Sequence, residues 1–339
     1  MARRLPVYLL LDCSESMIGG PLESVEAGVH SMLSALKRDP HSMETVFVSI
    51  ITFDTKARVV TPLTEVYAVR PPQLSAHPGT AMGAALTLLQ DSIKKEVKQT
   101  TASQKGDYKP LIFIMTDGVP TDEWRGPAKS LQNVQPKIAN IYAIGCGDEV
   151  DFTALREITD NCIYLKGLTP ANLKDLFVWL SASVQTQSVS VNPDQLVSLE
   201  KLPLKTGMEL ISPDNIPKLS EKPRLFFHIL CSREHNHFLA RYTYSPEKDC
   251  YLSEEPLPLQ EDFFSEGTAK GAPIDTSTLY SPPTCPFCGA ETFGGCPKCG
   301  AVFCLHSGDT EVDCPSCDAH IRFSKDGTGS PLIIDGSKG

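Results

Sequence analysis

Seven of the chain's twelve cysteines fall between Cys285 and Cys317. They form Cys285-Pro-Phe-Cys288-Gly, Cys296-Pro-Lys-Cys299-Gly and Cys314-Pro-Ser-Cys317, and Cys304-Leu-His306 adds a fourth pair of donors. A segment this short cannot bury enough apolar surface to fold unaided. Pro and Gly permit the tight turn that presents two thiolates to one ion, and eight soft or borderline ligands fill two tetrahedral zinc sites. Crowding of this kind favours metal over a disulfide framework. Two structural Zn²⁺ are expected, each contributing about 10 kcal/mol or more to folding, with no position left open for catalysis.

The pairing of these ligands is less constrained. Cys296, Cys299, Cys314 and Cys317 flank a hairpin-like segment, Ala301 to Asp313, that turns near Ser307-Gly308-Asp309, the layout of a zinc ribbon. That assigns Cys285, Cys288, Cys304 and His306 to the other ion, since residues two apart on a strand face the same side. The alternative pairs the first four and the last four ligands in sequence. Cys231, His235, His237 and Cys250 lack knuckle spacing and are set aside as a third site, and Cys13, Cys146 and Cys162 read as small buried hydrophobes.

The first half alternates short apolar runs with amphipathic stretches, the pattern of a sheet with crossover helices. Strands are predicted at Val7–Leu11, Val46–Phe53, Leu111–Met115, Ile138–Ile144 and Ile163–Leu165, with Arg58–Leu63 suited by its Pro to an edge. Val25, Val29, Met32, Leu33 and Leu36 mark one helical face, Ala84 to Ile93 another, and Leu173, Leu176, Phe177 and Leu180 a closing helix that fades near Gln187. The expected divisions are 1–187 for this α/β domain, 188–281 for a β-rich region and linker, 282–325 for the double-zinc module and 326–339 for a flexible tail. Gly145-Cys146-Gly147 lacks the third glycine and the early position of a dinucleotide fingerprint.

Oxygen donors gather at the ends of the predicted strands. Asp12-Cys13-Ser14-Glu15-Ser16 follows the first, Thr116-Asp117-Gly118 follows the central one, and Gly79-Thr80 precedes a helix between them. Open α/β sheets place ligands at such ends. Oxygen-only donors with few carboxylates suit a hard cation such as Mg²⁺, although each piece alone could be a helix cap. Together the residues resemble the metal-ion-dependent adhesion site of von Willebrand factor A (vWA) domains, D-x-S-x-S, then a loop Thr, then a strand-end Asp. The match falls at Asp12, Ser14, Ser16, Thr80 and Asp117. The resemblance covers about the first 185 residues. It implies a Rossmann-like, doubly wound α/β domain in which those five residues hold Mg²⁺ (or Mn²⁺ or Ca²⁺), with one coordination position open to an acidic residue of a protein partner. Thr116-Asp117-Gly118-Val119-Pro120-Thr121-Asp122 is similar to the bacterial tellurite-resistance TerY-like group, whose members carry a C-terminal metal-binding region. Asp122 is expected to cap a helix starting near Glu123.

The resemblance implies a divalent-cation-dependent protein-binding adaptor without catalytic residues, in a tellurite or chemical-stress resistance system, with kinase-like and phosphatase-like partners. One rival is a Mg²⁺-dependent phosphotransferase using Asp12 as nucleophile; the haloacid dehalogenase family, which works this way, has an acidic residue two positions on, where this chain has Ser14. Another is a transcription or repair scaffold joining an A domain to zinc fingers. A net charge of −10 disfavours nucleic acid and anionic lipid as partners. Asp12 cuts short the apolar run from Leu5, which suits neither a signal segment nor a membrane span, and a cytoplasmic location is expected.

Overall fold

The computed structural model describes residues 3–101, 103, 105–133, 139–189, 204, 207–261, 263–264, 272–322 and 333–338. The chain divides into two compact units, Met1–Leu219 and Ser220–Gly339. Ile138, the linker glycines Gly267 and Gly271, and the start of the expected flexible tail lie outside the described residues.

The first unit begins with β1 (Leu5–Asp12), every residue of which is buried. Leu5, Val7, Leu9 and Leu11 point into one core and Tyr8 and Leu10 into another. A strand buried on both faces needs helices on both sides. On one side lie α1 (Gly20–Arg38) and, further along the chain, a long helix over Pro170–Ser188; α1 contributes Val25, Val29, Met32, Leu33 and Leu36. After α2 (Pro40–Thr45) come β2 (Val46–Phe53) and β3 (Ala57–Glu65), then α3 (Met82–Glu96), which covers the opposite face with Met82, Ala85, Leu86, Leu89 and Ile93. β4 (Leu111–Thr116), α4 (Arg125–Asn133), β5 (Asn140–Cys146), α5 (Phe152–Arg156), β6 (Cys162–Leu165) and α6 (Pro170–Ser188) complete the alternation. The sheet order is β3-β2-β1-β4-β5-β6-β7, where β7 is Met208–Ile211.

The neighbours β2, β1, β4, β5 and β6 run parallel, while β3 and β7 close the two edges antiparallel. Pro62 sits in the edge strand β3, where a missing ladder donor is tolerated. The chain leaves β1 in one direction, to β2, and returns to its other side as β4, so the strand order reverses between β1 and β4. The carboxyl ends of two strands at such a switch point border a crevice. The unit extends past Gln187, the expected boundary, because β7 pairs with β6 through Met208↔Leu165 to Ile211↔Cys162.

In the second unit the β-rich region and the cysteine module are one body, where separate segments 188–281 and 282–325 are expected. Its strands are β8 (Leu225–Leu230), β9 (His237–Ser245), β10 (Cys250–Ser253), β11 (Leu257–Pro258), β12 (Ala272–Asp275), β13 (Thr292–Gly295), β14 (Val302–Leu305), β15 (Glu311–Asp313), β16 (His320–Arg322) and β17 (Ile333–Lys338). The main sheet runs β10-β9-β8-β14-β13, and β17 pairs with both β12 and β8. β17 is therefore part of the sheet, and the expected flexible tail 326–339 is corrected over that strand: Ile334 is buried in the core and pairs with Ile274. Among the described residues no helix is long and apolar enough to cross a membrane.

Candidate functional site

Asp12 ends β1 and Asp117 directly follows Thr116, the last residue of β4, so the switch point puts two carboxylates at adjacent strand ends. Asp12 Oδ1 accepts the Ser14 backbone N–H at 2.8 Å and Oδ2 accepts the Thr116 hydroxyl at 2.5 Å. The Ser14 and Ser16 hydroxyl oxygens are 3.0 Å apart, and Ser16 donates to Asp117 Oδ1 at 2.8 Å. Asp12, Ser14, Ser16 and Asp117 thus form a continuous hydrogen-bonded arc. All are buried except Ser16, which is half-buried.

Thr80 reaches the same place from a separate loop. Its hydroxyl lies 3.4 Å from where a Cβ on Gly118 would stand. The loop is held by the segment after β4: Thr80 N–H donates to the Thr121 hydroxyl at 2.9 Å and Thr121 N–H to Thr80 O at 3.0 Å. Asp122 accepts from the Gly83 and Ala84 N–H groups, both at 2.8 Å. It therefore caps α3, the helix that follows Thr80, where a cap on the helix after Glu123 is expected. The reason is proximity: a Cβ on Gly83 would come within 2.0 Å of the Glu123 carbonyl oxygen, so the two segments pack backbone to backbone.

In the second unit the cysteine sulfurs converge in two groups, each with its ligand atoms within 4.8 Å of one another: Cys231, Cys285, Cys288 and Cys304; and Cys296, Cys299, Cys314 and Cys317. The second group holds the residues expected for it. In the first, Cys231 stands where His306 is expected. β14 ends at Leu305, so the alternation that would align His306 with Cys304 has stopped, and His306 N–H instead donates to Asp309 Oδ2 at 2.9 Å. The hairpin expected across Ala301–Asp313 is also absent, since β14 pairs with β13 and β15 with β16.

Cys231 opens a turn of the same construction as the three Cys-Pro-x-Cys knuckles. In each, the first Cys N–H donates to the carbonyl five residues on and its carbonyl accepts from the residue four on. The accepting carbonyls are Asn236, Ala290, Ala301 and Ala319, at 2.8 to 2.9 Å. The fourth residue after the Cys has positive φ in every case: His235 58°, Gly289 73°, Gly300 77° and Asp318 56°. Glu234 occupies the position of the second cysteine, and its N–H donates to Cys231 Sγ at 3.3 Å. The missing fourth thiol comes from Cys304 on β14.

A von Willebrand factor type A domain model matches residues 7–176. The chain belongs to that family. A model of the TerY-C metal binding domain matches residues 230–339, which include all eight clustered cysteines. The human inter-alpha-trypsin inhibitor heavy chain H6 is 22% identical over 182 residues, 48% of this chain and 14% of that protein. An uncharacterized protein of Synechocystis sp. is 33% identical over 123 residues, 34% of this chain and 26% of that one. The chain thus spans a minor part of either relative. Similar solved structures include the von Willebrand factor type A protein from Catenulispora acidiphila, with 21% identity, 54% of this chain, 43% of that one and a TM-score of 0.40. The vWF domain of the pili tip protein Mfa5 from Porphyromonas gingivalis has 13% identity, 56% and 98% coverage and a TM-score of 0.41.

In this A domain, burial and then the charge of Asp117 push the Asp12 carboxyl up to about 7, against the hydrogen bonds from Thr116 and Ser14. Two buried carboxylates that resist joint ionisation, ringed by hydroxyls, are suited to a hard cation as counter-charge. In the TerY-C region, burial raises Cys296, but the N–H groups of Cys299 and Lys298 together with the thiols of Cys299 and Cys314 outweigh it and bring the thiol down to about 6. Cys231 is lowered in the same way by Glu234 and Arg233, against burial. Burial pushes Cys314 up to about 12, and Cys285 upward as well. In each group one thiol is thus shifted toward the thiolate, the form that binds metal. Sequence reasoning missed Cys231 as a cluster member and gave Thr116 no role. The first carries a signal only in the pair Cys231 and His235, which has no glycine to mark the turn.

Proposed function

We propose that the chain is a divalent-cation-dependent protein-binding adaptor. The observation that carries this reading is the buried arc from Asp12 through Ser14 and Ser16 to Asp117 at the switch point. Asp12, Ser14, Ser16, Thr80 and Asp117 would hold Mg²⁺ or Mn²⁺, directly or through water, and the bound ion would supply positive charge and an exchangeable water. An Asp or Glu of the partner displaces that water and gains a charge-assisted bond. Cys231, Cys285, Cys288 and Cys304 would hold one structural zinc and Cys296, Cys299, Cys314 and Cys317 the other, each set giving four sulfurs and no open position.

Asp12 is poorly suited to act as a nucleophile, because both its oxygens already accept hydrogen bonds and the side chain is buried. The TerY-C match supports a role in a tellurite or chemical-stress resistance system with kinase-like and phosphatase-like partners, in the cytoplasm, where thiols stay reduced. The test is affinity capture of the chain from its native cells with Mg²⁺ or with chelator, alongside Asp12→Ala and Thr80→Ala. A partner is expected with wild type and Mg²⁺ alone. Equal capture in all arms would overturn the reading.

A further inference from the structure

The two cysteine clusters differ in how far solvent reaches their sulfurs. In the first, Cys231, Cys285 and Cys304 are buried and Cys288 is half-buried; in the second, Cys296 and Cys314 are buried, Cys317 is half-buried and Cys299 is exposed. The first sits in the unit's main core, with Phe227, Ile229, Phe238 and Tyr242. The second belongs to a small satellite cluster with Leu230, Phe303, Leu305 and Ile321, beside the two short strands β15 and β16.

One sulfur of the first cluster also has donors from elsewhere in the chain. Cys304 Sγ accepts the Ser232 N–H at 3.3 Å and lies 3.5 Å from the Ser232 hydroxyl, both from a segment outside the Cys-x-x-Cys knuckles. Donors to a thiolate withdraw charge from it and reduce its reactivity toward electrophiles. Cys299 and its chain neighbours Pro297, Lys298 and Gly300 are all exposed. The sulfur of Cys314 lies 3.7 Å from that of Cys299.

We propose that the Cys296/Cys299/Cys314/Cys317 site is a peroxide-sensitive zinc site that opens by oxidation at Cys299 while the Cys231 site keeps its metal; this rests on the zinc reading above. The Cys299 thiolate attacks one oxygen of hydrogen peroxide, the O–O bond breaks and hydroxide leaves, giving a sulfenic acid. The Cys314 thiolate then attacks that sulfur, the S–O bond breaks and a second hydroxide leaves as the disulfide forms. Two thiolates have lost two electrons, peroxide has gained them, and two protons from solvent convert the hydroxides to water. The site then retains only the Cys296 and Cys317 thiolates, two ligands where a structural zinc calls for four, and would release the ion. Reduction by a dithiol in the presence of zinc reverses the step.

The experiment uses the full chain. Zinc per chain is counted first, then hydrogen peroxide is added in graded amounts while a chromogenic chelator reads released metal, and the oxidised cysteines are mapped by peptide mass. Two zincs at the start are expected, with one released at a dose that retains the other, a Cys299–Cys314 link, and Cys231, Cys285, Cys288 and Cys304 still reduced. Fewer than two zincs at the start contradicts the zinc reading itself. With two present, simultaneous loss of both, or oxidation first in the Cys231 set, overturns the proposal.

Discussion

Whether a residue beyond Cys304 can join the first cysteine cluster depends on where β14 stops. It stops at Leu305, so His306 falls into a turn and the place goes to Cys231, which ends no Cys-x-x-Cys motif but opens the same kind of turn. Cys231→Ser is therefore expected to lose one of two metal equivalents, and His306→Gln neither, in metal analysis of the purified variants. Loss with His306→Gln and retention with Cys231→Ser would reverse the assignment. The three Cys-Pro-x-Cys knuckles were legible because their chemistry is written in consecutive residues. The fourth was not, because Glu234 replaces its second cysteine, Cys231 is followed by Ser232 where the others have Pro, and His235 takes the left-handed position held by Gly289, Gly300 and Asp318 elsewhere. A different close approach governs Gly83, where any Cβ would meet the Glu123 carbonyl oxygen at 2.0 Å, an atom of the backbone that cannot rotate away. Gly83→Ala is expected to cost about 2 kcal/mol or more in denaturant unfolding, and an unchanged midpoint would contradict this.

At the scale of elements, β1 and β4 were readable as strands from their apolar runs, but their adjacency was not, since it follows from where the chain turns back across the sheet. That adjacency brings Asp12 and Asp117 together and sets the behaviour of the pair with pH. The folded, metal-free chain holds the Asp12 proton up to about 7, above the ordinary carboxylate value, so it binds that proton more tightly than the unfolded chain does. Stability without cation should therefore be highest at low pH for this group and be lost as pH rises through the interval from about 4 to about 7. Protons and cation compete for the same oxygen, so the gain in melting temperature on adding Mg²⁺ should be larger at pH 8 than at pH 6. A gain independent of pH would argue against ligation by Asp12. Asp122, read as a cap for the wrong helix, shows the same limit of local reasoning: its N–H partners, Gly83 and Ala84, are remote in sequence and reach it only because α3 starts beside the β4 loop.

On the scale of the whole molecule, the proposed metal sites would support the two units in different ways. The first has two extensive cores flanking its sheet, and a cation at the proposed site would serve only its strand ends. The second builds its main core around Cys231, Cys285 and Cys304, so its packing and its metal site are the same structure. Removal of thiolate-bound metal with a strong chelator should abolish amide-exchange protection in 220–322 and leave β1, β4 and β5 protected; uniform loss, or loss confined to the first unit, would contradict this division. β7 and β17, both beyond the boundaries suggested by composition, are sheet members because each finds an open edge, which no local pattern announces. The central claim is that the A domain's oxygen arc binds a divalent cation and leaves it open to a partner. Its most direct test is a titration of Mn²⁺ into the full chain, followed by electron paramagnetic resonance and water-proton relaxation, in wild type and Asp12→Asn. The account predicts an ion at this site with an exchangeable water in wild type and its loss in the variant. Equal binding by both, or a bound ion with no exchangeable water, would contradict it.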